Sequence, residues 1–107
     1  MTEFHATATE SLSVDGTAAD LNPPAKVADA SGNNQQAIRR VTHVKIVNTH
    51  ASQIMYLRRD ATATTSTYDV VVPAGQSVVT PLGADHTSMI ASGASTTGVA
   101  HYGRPIS

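Results

Sequence analysis

Five histidines in 107 residues raise the question of a metal centre. They are His5, His43, His50, His86 and His101. No HxH or HExxH spacing joins any two of them, and no carboxylate flanks a pair at ligand spacing, so no metal or other cofactor is expected. His43 and His101 fall in separate extended segments and meet only if those segments pair. Asp85-His86-Thr87-Ser88 sets an acid, a base and two hydroxyls side by side. Neighbours on an extended chain point in different directions, so adjacency builds no triad. A serine nucleophile needs its base and orienting acid in space, and no GxSxG elbow occurs. No enzyme is expected.

Two basic pairs, Arg39-Arg40 and Arg58-Arg59, are the other charged candidates. If the strands that carry them form a hairpin around Asn48–Ser52, position 40 lies opposite about position 60 and the pairs cluster at one end. Planar guanidinium groups there would bind carboxylates of a partner surface bidentately. The plainer alternative is a solvated patch paired with Asp60 and Asp69. Tyr56, Tyr68 and Tyr102 are most of the aromatic content. They serve as anchors with hydroxyls at the rim, or as interface hot spots. The candidate protein-interface residues are therefore Arg39, Arg40, Arg58, Arg59, Tyr56 and Tyr68.

Composition narrows the class. Hydrophobic residues make up 40%, but 16 Ala and 11 Val dominate, and Leu, Ile, Val and Phe together supply only 21 residues. Such side chains return little free energy each, so part of the apolar surface is expected to be buried against other chains. A net charge of −1 lacks the basic footprint of a nucleic-acid binder. The absence of cysteine excludes disulfides and thiolate chemistry. No apolar run approaches the ~18 residues of a membrane span, and the first ten residues lack the pattern of a signal peptide. A product made in a cytoplasm, with no membrane partner, is expected.

The elements that must position the candidates are strands. No long window carries apolar residues at helical spacing; the best short helical candidate is Ala25–Ala30. Period-two alternation runs through Ile38–Val47, with Val44 and Ile46 on one face, and through Gln53–Arg59. Asn48–Ser52 is turn chemistry, and Asp60–Thr67 reads as an exposed loop. Tyr68–Val72, Ser77–Leu82, Ser88–Ala91 and Gly98–Tyr102 complete the strands, the last two short. Pro73-Ala74-Gly75-Gln76 suits a type II turn with proline second and glycine third. Five or six short strands without helices between them predict an all-β fold, a small antiparallel β-sandwich or barrel, over residues 38–107. Residues 1–37 alternate early, contain the Asp15-Gly16 turn signal and end in a polar stretch. They read as an extended N-terminal arm, or a first strand plus linker, adding a strand to this sheet or a neighbour's; composition alone suits a floppy terminus equally well.

In this order the segments resemble small β-sandwich structural proteins encoded among the head genes of tailed bacteriophages. The features are Val14-Asp15-Gly16-Thr17-Ala18, the pair Val41–Asn48 and Ile54–Arg58, the loop Ala61-Thr62-Ala63-Thr64-Thr65-Ser66, and Pro73-Ala74-Gly75-Gln76-Ser77. The resemblance spans about residues 10–102 and carries over no functional residue. Where such proteins often have a glycine after the Arg/Asp of the second strand, this chain has Arg59-Asp60-Ala61. The resemblance implies a virion protein: a capsid decoration (cement) protein or, alternatively, a head–tail junction (neck) or tail-fibre protein. Its partners would be the major capsid protein or neck proteins, in a homo-oligomer or lattice-bound form. A carbohydrate- or receptor-binding module is a further alternative, disfavoured by the absence of Trp. Multivalent placement on a lattice would turn weak contacts into tight attachment.

Overall fold

The computed structural model describes residues 3–22 and 41–106. The short helix expected at Ala25–Ala30 lies outside them. Eight strands follow one another: β1 (Glu3–Val14), β2 (Ala19–Asp20), β3 (His43–Asn48), β4 (Met55–Arg59), β5 (Val70–Val72), β6 (Ser77–Pro81), β7 (Thr87–Ala91) and β8 (Thr96–Ile106). They form two antiparallel four-stranded sheets, ordered β1-β8-β3-β6 and β2-β7-β4-β5. The expected all-β class and antiparallel pairing are present, and residues 3–22 contribute a strand to each sheet.

Alternation explains the packing. Val44 and Ile46 in β3, and Met55 and Leu57 in β4, are buried every second residue. They meet Val72, Met89, Ala100 and Tyr102 in the shared core. Tyr102 is 1% exposed, and its hydroxyl donates to the Glu10 carboxylate. Burial, then the adjacent carboxylate, push that phenol well above its ordinary pKa.

The hairpin expected between the Val41–Asn48 and Ile54–Arg58 segments does not form. β3 pairs with β6 and β8, whereas β4 pairs with β5 and β7 in the opposite sheet. The connecting residues are an arch between sheets, and Asn48 holds it. Its Nδ2 donates to Gln53 O (2.8 Å) and Val72 O (3.0 Å), while its Oδ1 accepts from His50 N (3.0 Å). His50 Nδ1 in turn accepts from Ser52 N and Gln53 N. A period-two pattern fixes which face is buried but not which strand lies alongside.

Three smaller expectations also change. The last strand is long: β8 spans 11 residues between β1 and β3. The turn after β5 begins at Pro73, because Gln76 N donates to Pro73 O, so proline is first rather than second. Gly75 stands third with φ 72°, the positive value that a type II turn requires. The Asp60–Thr67 loop is not wholly exposed: Ala63 is 1% exposed and its N–H donates to Ser88 Oγ.

Asp60, directly after β4, adopts φ 60°, a conformation Asp tolerates better than most residues. Its carboxylate accepts from Ala84 N, Asp85 N and His86 N, and its own N–H donates to His86 O. The Asp85 amide bond is the largest cause holding this carboxyl below its ordinary pKa, against opposing desolvation. A carboxylate with a lowered folded pKa contributes stability above the unfolded value, and loses it as pH falls through the folded one. Asp60→Ala is therefore expected to be less stable than wild type at neutral pH, with the gap closing below about pH 4. Urea midpoints across an acid series check this, and a gap unchanged at low pH would exclude the carboxylate as its cause.

Candidate functional site

The outer face of the second sheet is built by the same alternation that fills the core. With Met55 and Leu57 turned inward, Tyr56 and Arg58 must face out. Tyr56 stands directly opposite Val71 on one side and Ile90 on the other. The ring of Tyr68, from the loop before β5, packs on that of Tyr56 with centroids 4.8 Å apart and planes tilted by 48°. This is the offset, tilted geometry that aromatic pairs favour. Tyr68 is 43% exposed and Val71 39% exposed. An aromatic pair, a valine and a guanidinium are thus presented beside β5, an edge strand only three residues long.

The loop that carries Tyr68 is tied down at several points. Arg59 N donates to Asp69 Oδ2 and Asp69 N to Leu57 O, while Thr64 closes a local turn with Thr67. Ala63 N bonds to Ser88 Oγ across the sheet surface. Tyr68 is held by this loop, which limits the side-chain entropy lost on contact with a partner.

The structure separates the arginines that the sequence suggested as a cluster. Arg58 points outward and donates from Nη1 to Thr62 O at 3.3 Å. Arg59, the next residue, points the other way and reaches across the sandwich to Thr80 Oγ1 at 2.8 Å. It ties the two sheets together and leaves the candidate interface. Arg39 and Arg40 lie outside the described residues, and the hairpin expected to bring them beside position 60 is absent. Neither Asp60 nor Asp69 pairs with an arginine side chain: among the described residues, the ion pair within 4.0 Å is His86 with Asp85, at 3.9 Å. Tyr56 and Tyr68 are brought together as a unit. Val71, its exposed neighbour, was missed, although its place opposite Tyr56 follows from the alternation once β4 and β5 are paired.

The remaining candidates are dispersed. β3 and β8 do pair, with Lys45 opposite His101 and His43 opposite Gly103. A lysine beside the imidazole disfavours a cation there. His101 and His43 bond instead to Thr9 and Thr42, and no group of three potential metal ligands occurs among the described residues. In the Asp85–Ser88 run, Thr87 Oγ1 accepts from Gly83 N, while Ser88 Oγ is occupied by Ala63 N. Comparison with known proteins finds no matching family model, no matching curated protein and no matching solved structure.

Proposed function

We propose that this protein is a virion structural component of a tailed bacteriophage, a decoration (cement) protein that binds the head shell through the Tyr56–Tyr68–Val71–Arg58 face. The observation that carries the reading is the exposed, tied-down tyrosine pair beside a short edge strand. Tyrosine and arginine are the residues that most often dominate protein–protein binding energy, and a prearranged aromatic anchor binds at low entropic cost. The resemblance of the segment order to small phage head proteins supplies the particle. A shell offers many copies of one site, so modest contacts per site suffice for tight attachment.

The test is co-sedimentation of the purified protein with head shells that lack it. Wild type is expected to bind at saturation in numbers proportional to the major capsid protein. Tyr68→Ser, at an exposed position where folding is little affected, is expected to weaken binding by roughly tenfold or more, the effect of losing a hot-spot residue. Equal binding by wild type and Tyr68→Ser would remove this face from the contact. Saturation at a single ring per particle would move the protein to the head–tail junction. No association with any part of the particle would overturn the virion reading.

A further inference from the structure

The two sheets expose four edges, and three are protected. β2 has two residues, β5 has three, and β6 has five and ends in Pro81. Short edge strands and edge prolines are the usual means of preventing unwanted pairing. β1 is interrupted by a register shift between Ala6 and Ala8, but from Ala8 to Val14 it runs in regular register without proline or lysine, and among the described residues it pairs with β8 alone. Among the described residues, the outer edge of this half of β1 is a row of backbone donors and acceptors with no strand beside it.

A cleft of about 220 Å³ lies along the second half of this edge, between residues 10–14 and the crossover of residues 15–21. Leu12, Val14, Leu21 and Met89 give it apolar lining, and its ionisable side chains are Glu10, Asp15 and Asp20. Val14 and Leu21 are buried core residues, so the apolar lining is continuous with the core. Glu10 is engaged by Tyr102 and Asn22, and Asp15 accepts from Ser95 N. Asp20 is exposed, and its carboxylate makes no hydrogen bond among the described residues.

Charge decides what can occupy the site. Residues 1–25 contain Glu3, Glu10, Asp15 and Asp20 and not one lysine or arginine. Pairing β1 with β1 of a second copy would set two acidic segments side by side with no lysine or arginine in either, which is unfavourable. A basic strand would be attracted to the same edge. We propose that β1 and its cleft receive an extended segment of another protein, in which lysines or arginines alternate with aliphatic residues. The segment adds a strand to the first sheet, sets one aliphatic side chain over the Leu12–Met89 lining and places its cations against Asp15 and Asp20. Main-chain bonds supply affinity in this mode of recognition, and the alternate side chains supply specificity. The site is separate from the Tyr56–Tyr68 face: it opens between the β1 and β2 edges, whereas that face lies toward the β5 edge of the second sheet.

The full chain is titrated with a short capped peptide alternating Lys and Val, with an alternating Glu–Val peptide as control, while amide hydrogen exchange is followed. The Lys–Val peptide is expected to bind saturably and to slow exchange in residues 9–14. The Glu–Val peptide is expected not to bind. Asp20→Lys is expected to weaken binding on the order of tenfold at low ionic strength, whereas Tyr68→Ser leaves it unchanged. Three results would each overturn the proposal: no binding of the Lys–Val peptide, binding unaffected by Asp20→Lys, or self-association that protects residues 9–14 without peptide.

Discussion

Replacing Asn48 by aspartate is expected to cost about 3 kcal/mol of stability at neutral pH. For a domain of this size that is a fall in melting temperature of roughly 15 °C. Asn48 is 1% exposed and bridges the arch after β3 to β5 through two donated bonds and one accepted bond. Aspartate keeps the acceptor for His50 N but turns an oxygen toward the carbonyls of Gln53 and Val72. Those two carbonyls lose their donor, and a carboxylate there is both buried and repelled. The pH dependence gives the cause a signature. Desolvation and facing carbonyls raise the pKa of the new carboxyl above its unfolded value, so the deficit is largest above the raised value. It shrinks as pH falls and the acid can donate to one carbonyl. Denaturant midpoints at neutral and mildly acid pH check this, and a deficit that does not shrink would contradict the two-carbonyl environment.

Gly98→Ala is expected to cost about 2–3 kcal/mol, by overpacking rather than by backbone strain. Gly98 lies within β8, opposite Leu12 in β1 and Asn48 in β3. A Cβ added there would stand 2.6 Å from Val47 O and 2.7 Å from Met55 Cε. The methionine tip can move, but the carbonyl belongs to the β3 backbone and moves only with its strand. In combination with Met55→Ala the cost is expected to fall below the sum of the single costs by at least about 0.5 kcal/mol, because the new methyl enters the space Met55 leaves. A Gly98→Ala protein as stable as wild type would show that the β3 carbonyl and Met55 do not approach this closely here.

These two positions also show how far the sequence could be read. The alternation in Val44–Asn48 and Met55–Arg59 revealed strands and their buried faces, and the absence of helical spacing revealed the all-β class. Partner choice stayed hidden, since a six-residue connection serves a hairpin or an arch equally well. Asn48 looked like turn chemistry because its value lies in carbonyls that come close only after folding. The length of β8 was masked by Gly98, Gly103 and Pro105, residues that weaken a strand signal although its neighbours β1 and β3 hold it on both sides. At the candidate site, Tyr56 and Tyr68 were legible as rare large residues on a thin-cored chain. The arginine cluster failed on a rule already visible in the sequence: Arg58 and Arg59, adjacent on one strand, must face opposite ways. The acidic character of the first 25 residues was equally visible, but it acquired meaning only when the unpaired edge of β1 was placed beside it.

The most direct test of the central claim is tyrosine footprinting by nitration of the free protein and of the protein in purified particles. Tyr68, 43% exposed in the isolated chain, is expected to react readily when free and to be strongly protected in the particle, with buried Tyr102 unreactive in both. Equal labelling of Tyr68 in both states, or absence of the protein from the particle, would contradict attachment through this face.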